Sequence, residues 1–188
     1  MVTVGIDEVG RGCWAGPVVA GAVILSVPIK GLTDSKLLTK KQRELLNVEI
    51  CTKAAAIGLG WVEPDVIDAI GINPAVQLAM AKALQQIKTD YEEIIIDGDI
   101  NYLNEIPNSH AIIKADNSIP SVSAASIVAK VARDKFMAEL SLKYPDYGFE
   151  KHVGYGTALH IEKLKLHGVS AQHRRSYKPI KALLKASE

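Results

Sequence analysis

Short apolar runs separated by turn signals dominate the first third of the chain. VTVGID and PVVAGAVIL each have the length of one strand, and the Gly-rich GRGCWAG between them predicts an antiparallel pair. In LTDSKLLTKKQRELLNVEI the spacing changes: Leu37, Leu38, Leu45 and Leu46 recur at helical intervals, and Thr33 or Asp34 can cap the start. AAAIGLGWV predicts a third strand. From about Asn73 to Lys88, Pro74 in the first turn and an apolar face through Val76, Met80, Leu84 and Ile87 predict a second helix. EEIIIDGDI and HAIIKAD then read as two short β-branched strands, the first ending in Asp97-Gly98-Asp99 and the second in Asp116. SVSAASIVAKVARDKFMAELSLKY is the longest helical candidate, and its small residues Ala124, Ala125 and Ala129 allow close approach to a sheet. After the loop YPDYGFEKHVGYGT two shorter helices complete the pattern, which as a whole predicts an α/β class with a mixed sheet covered by helices.

Composition bounds this picture. With 188 residues, 48% hydrophobic and 23% charged, the chain fits a single domain with a real core. No apolar run reaches the roughly 18 residues of a membrane span, and the N-terminus lacks a secretory pattern, so a cytoplasmic protein is expected. Cys13 and Cys51 match neither a disulfide framework nor a zinc spacing. Net charge is only +1, but residues 151–188 carry +6 and leave −5 for the rest. That asymmetry points to a polyanionic partner near the C-terminal part.

The acids change the picture more. Three predicted strands end in carboxylates, at Asp7 and Glu8, at Asp97 and at Asp116. Acid at the end of a buried strand is costly unless something positive compensates it. Side chains alternate along a strand, so Asp7 and Glu8 share a site only if the chain turns between or just after them, as Gly10 and Gly12 permit. If the strands are neighbours, four carboxylates converge, and oxygen-only ligands suit hard cations such as Mg2+ or Mn2+. A two-metal centre for phosphodiester hydrolysis is the sharp reading. For each acid alone, a helix cap or a turn is the plain alternative, and Asp99 reads as a turn residue. A paired-carboxylate glycosidase is disfavoured, since no aromatic sugar platform accompanies the acids. No histidine falls clearly with them either, so histidine is left out of the catalytic set.

GIDEVGRGCWAGPVVAGAVIL, together with DSKLL at 34–38, IIIDG at 94–98, KAD at 114–116, SAASIVAKVARD at 123–134, GYGT at 154–157 and HRRSY at 173–177, closely resembles bacterial ribonuclease HII, a type 2 ribonuclease H family. The resemblance runs from about residue 3 to about residue 177, with the blocks in the family's order. Cys13 and Trp14 after GRG, and Tyr177 where the family more usually has Phe, are mild departures.

The resemblance implies a ribonuclease H-like fold, a mixed central sheet flanked by helices. About residues 145–188 would form a small basic helical part that touches nucleic acid. It also implies cleavage of the RNA strand of RNA–DNA hybrids and incision at single ribonucleotides within DNA, leaving 3′-hydroxyl and 5′-phosphate ends. Carried over by position, the catalytic and metal-binding acids are Asp7, Glu8, Asp97 and Asp116, with Asp134 in a supporting, structural role. Ribose recognition falls to Gly10, Arg11, Gly12 and Tyr155: glycines admit close backbone approach, and a tyrosine can stack on a sugar and meet a 2′-oxygen. Ser35, Lys36, Lys151 and His152 are expected at phosphates. Arg174 and Arg175 either meet phosphate or brace the C-terminal helices against acids. The four intact acids argue against a non-catalytic duplex binder, and GRG with GYGT argues against a type 3 ribonuclease H or a junction resolvase. A monomer is expected.

Overall fold

The structure, a computed structural model, describes residues 1–185. Strands β1 (Thr3–Val9), β2 (Val18–Leu25), β3 (Ala54–Val62), β4 (Glu93–Asp97) and β5 (Ser109–Ile112) form one sheet in the order β3-β2-β1-β4-β5. β1 and β2 are antiparallel across the short GRG connection, β2 and β3 are antiparallel across the long segment between Leu25 and Ala54, and β1–β4 and β4–β5 are parallel. The sheet is therefore mixed, and the chain ends of β1, β4 and β5 lie along one edge.

Both faces of β1 are buried, which explains why its run is almost continuously apolar. On one face Val4 and Ile6 join Ala20, Ala22, Ile94 and Ile96 beneath α3 (Ile72–Leu84), through Val76, Ala79, Met80 and Ala83. On the other lies α4 (Pro120–Lys143), whose Ala124 and Ala125 pack with Val23 and with Ile50 of α1 (Lys40–Lys53). Small residues set the spacing. A Cβ on Gly5 would overlap the Ser121 backbone, and one on Gly21 would press on the Ala125 carbonyl, so α4 sits directly against the sheet.

Four expectations need correction. The helix expected from Thr33 or Asp34 begins at Lys40, because Thr39 and Gln42 form a reciprocal capping box there. Asp34 instead caps a separate 3-10 turn, Ser35–Leu37, accepting from the Lys36 N–H at 2.9 Å. The strand expected to end in Asp116 stops at Ile112; Lys114 adopts a left-handed conformation (φ 58°) and Asp116 falls on the 3-10 turn Ala115–Asn117. Helix α2 (Pro64–Ile70), with Pro64 in its first turn, was not anticipated, and the following helix closes at Leu84, short of Lys88.

Beyond α4 come α5 (Phe149–His152), within the stretch expected as loop, then α6 (Ala158–His167) and α7 (Lys178–Lys185). Their core of Phe149, Leu164 and Ile180 packs on Met137 and Leu140 of α4 and on Ala15, which follows the GRG turn. No helix among the described residues is long and apolar enough to cross a membrane.

Candidate metal centre

β1 and β4 are paired with Ile6 opposite Ile96, so Asp7 and Asp97 emerge side by side at the ends of parallel neighbours. The turn after β5 delivers Asp116, whose backbone N–H points at Asp97 Oδ1 (3.4 Å) and whose carbonyl is fixed by Ser123 Oγ (2.6 Å). One carboxylate oxygen from each of Asp7, Asp97 and Asp116 lies within 4.8 Å of the others. Glu8 stands outside this trio. β1 continues in regular pairing, Glu8 opposite Ala20, so alternation sends Asp7 toward α4 and Glu8 to the opposite face. The turn follows two residues later, at Gly10 (φ 90°).

Electrostatics follow from this crowding. Burial, then the charges of Glu8 and Asp97, push the Asp7 carboxyl up to about 8, although the Ser126 hydroxyl and the Glu8 N–H (2.7 Å) favour its anion. Asp116 is raised to about 6, by burial and by Asp97 and Asp34. Glu8 is raised by burial, against the pull of Arg11. For Lys36, burial works to lower the ammonium pKa, but Asp34, Asp7, Asp116 and Asp97 outweigh it and raise the value. Three carboxylates this close, two of them raised by burial and by their neighbours' charge, with oxygen as the only donor, fit a hard divalent cation.

The other candidates divide. Arg11 is held on the surface by Tyr102 Oη (2.7 Å) and Asn73 Oδ1 (2.5 Å), with Glu8 at 3.8 Å. Gly10 is buried against the Arg133 guanidinium, while Gly12 is exposed with open space around it. Tyr155 is 41% exposed, and its hydroxyl lies beside the Cys13 thiol of the GRG turn. Lys36 and Lys151 are exposed. Ser35 is not: its hydroxyl is buried on Ser126 Oγ (2.9 Å), so it supports the residue that touches Asp7 and is withdrawn from phosphate contact. His152 is likewise buried, its Nε2 on the Tyr147 carbonyl (2.8 Å) and its Nδ1 accepting from the Gly154 N–H (3.2 Å), which leaves neither nitrogen for a phosphate. Asp134 pairs with Lys130 (2.8 Å) and Arg43 (3.9 Å), and Arg43 in turn donates to the Ser35 and Leu38 carbonyls. It acts on the DSK turn from outside the acid cluster.

Two buried arginines carry more than their place in the sequence suggested. Arg133 donates to the carbonyls of Pro17, Ala15 and Val153, and Arg174 to those of Gly16 and Arg11 and to Tyr177 Oη. Neither pairs with an acid among the described residues. Arg175 is exposed; its backbone N–H bonds Asp68 (2.7 Å). Together the two buried guanidiniums tie the GRG turn to the segment carrying Tyr155 and to the C-terminal part. Their signal in the sequence was slight, since surface and buried arginines look alike there.

A family model described as Ribonuclease HII matches residues 4–180. This chain belongs to the ribonuclease HII family. Ribonuclease HII of Shewanella loihica is 46% identical over 186 residues, covering 97% of this chain and 89% of that protein. The Bacillus anthracis ribonuclease HII is 50% identical over 183 residues, covering 96% and 70%. Among solved structures, ribonuclease H2 from Pyrococcus horikoshii superposes with a TM-score of 0.84 at 27% identity, covering 99% of this chain and 98% of that one. The α/β ribonuclease H-like architecture is thereby shown, and ribonuclease HII proteins are metal-dependent nucleases that cleave RNA in RNA–DNA hybrids.

Proposed function

We propose that this ribonuclease HII hydrolyses the RNA strand of hybrids and also incises at single ribonucleotides embedded in duplex DNA, leaving 3′-hydroxyl and 5′-phosphate ends. The observation that carries the reading is the convergence of Asp7, Asp97 and Asp116 at the end of β1, the strand that runs on into the GRG turn and Cys13, beside which Tyr155 stands. Asp7, Asp97 and Asp116 are the residues that would hold Mg2+ or Mn2+, with Glu8, outside the trio but near enough to feel the charge of Asp97, as the fourth acid. A bound pair of such ions supplies an activated water and charge stabilisation at the leaving oxygen.

The chain's own residues do the rest. Asp7, whose anion the Ser126 hydroxyl stabilises, would offer a carboxylate oxygen to a bound cation. Lys36, exposed beside the acids, meets the phosphate backbone, as does Lys151, and these contacts position the duplex without reading bases. The backbone at Gly10–Gly12, with Arg11 held by Tyr102 and Asn73, approaches the ribose. Tyr155 meets the sugar at the RNA–DNA junction, where a missing 2′-hydroxyl would leave polar groups unpaired. Asp134 supports the DSK turn through Arg43. We place residues 145–188, of which 186–188 lie outside the described residues, against the duplex as part of a single catalytic domain, and read the protein as a cytoplasmic monomer.

The deciding assay uses a DNA duplex carrying one ribonucleotide, with added Mg2+ or Mn2+. Wild type should nick it on the 5′ side of a phosphate that stays with the product, and Asp97→Asn should lose at least about a hundredfold in rate while binding the duplex nearly normally. A near-normal rate in Asp97→Asn would overturn the assignment of the acids, and no nicking by wild type would overturn the substrate.

A further inference from the structure

The C-terminal part contains a buried relay that the acid chemistry does not use. His173 accepts at Nδ1 from the Ser170 N–H (3.0 Å), which assigns the proton to its Nε2. That Nε2–H points at His160 Nε2 (3.0 Å), which must therefore accept, and His160 Nδ1–H donates to the Tyr155 carbonyl (3.0 Å). Both rings are essentially inaccessible, and every ring nitrogen is used. Aromatic packing holds the rings in place: His160 stacks on His152 (4.2 Å between centroids) and lies against Trp14 and Phe149.

The two ends of this relay matter. His173 lies in a backbone bridge with Ala15: Gly16 N–H donates to the Gln172 carbonyl and Arg174 N–H to the Trp14 carbonyl. Ala15 follows the GRG turn by three residues. At the other end Tyr155 is flanked by Gly154, whose carbonyl accepts from the Trp14 N–H, and by Gly156, packed so tightly on the Trp14 ring that a Cβ would overlap it. The imidazole pair thus spans from the segment after GRG to the backbone of Tyr155.

We infer that His160 and His173 are positioning residues that set where Tyr155 stands relative to the GRG turn, and so help determine discrimination at an RNA–DNA junction. This rests on the reading of Tyr155 as the sugar contact. Two neutral imidazoles suit the task because each passes on one fixed donor direction and neither needs a counter-charge. Burial, and then the neighbouring rings, keep them neutral, lowering His160 to about 4 and His173 to about 3.

The test measures kcat/KM on a duplex with one ribonucleotide and on a long hybrid. In His173→Phe the ratio of the two should shift about tenfold against the single ribonucleotide, the size of one well-made hydrogen bond. His173→Gln, which keeps a side-chain N–H for His160, should restore most of it. In a Tyr155→Ala background His173→Phe should add no further shift. Parallel loss on both substrates, or additive shifts in the double variant, overturns the relay. If Tyr155→Ala alone leaves the ratio unchanged, the ribose-contact reading fails instead. Wild-type imidazole 15N–1H spectra give a check that does not depend on a variant folding: His173 should show an Nε2–H and His160 an Nδ1–H, and the opposite tautomer at His160 overturns the proposal.

Discussion

Asp7→Asn in the metal-free protein tests the acid cluster by stability alone. In the unfolded chain Asp7 ionises near its ordinary 3.8, whereas burial and the neighbouring acids hold it protonated up to about 8 in the fold. Between those values the folded state binds more protons, so stability falls as pH rises from about 4 to about 8 and stays low above that. A window of about four units at 1.36 kcal/mol each sets a ceiling of about 6 kcal/mol on this contribution. Sharing of protons with Glu8 and Asp116 reduces the expected difference to about 2–3 kcal/mol. Urea denaturation in EDTA at pH 5 and pH 8.5 measures it. The margin of the variant over wild type should widen by that amount between the two pH values, the part of the window below pH 5 already being lost at the lower one. Mg2+ at about a hundred times its Kd should cancel most of the difference at pH 8.5, because it adds about 2.7 kcal/mol to the protein that binds it. If the Asp7→Asn variant proved no more stable than wild type at pH 8.5 in EDTA, the argument that the carboxylates repel one another in a buried cluster would be refuted.

Two further outcomes concern the frame around the site. Arg133→Met strips the donors from the Pro17, Ala15 and Val153 carbonyls and should cost about 4 kcal/mol, read from the urea midpoint at constant m. Gly60→Ala places a methyl group into the Ala79 carbonyl of α3 and should cost about 3 kcal/mol, whereas Gly31→Ala, where space is open but φ is 83°, should cost about 1 kcal/mol; the ordering of the two by thermal denaturation checks it.

Strand and helix identities were largely legible because the two apolar periods differ and each element buries a face matching its own period. The runs at 3–9, 18–25, 54–62 and 93–97 became strands, and the small-residue helix came to lie flat on the sheet. Local chemistry also fixes the start of α1, at a place other than the one expected: Thr39 with Gln42 is a capping box readable in the sequence, and it prevails over Asp34. The acids could be named from sequence as the ends of apolar runs and by family resemblance. Their convergence could not, since parallel pairing of β1 with β4 joins residues about 90 positions apart, and only the packed sheet sets that register.

Burial is what the tertiary structure alone decided. Ser35, His152, Arg133, Arg174 and His173 are polar in the sequence, and nothing local distinguishes a solvated polar side chain from one enclosed with every hydrogen bond made. Residue order settles which elements form and which side chains can carry charge or bind a cation. The assembled molecule decided which of those groups lie together, which face water and which are locked to distant carbonyls, because those properties depend on contacts between segments far apart in the chain.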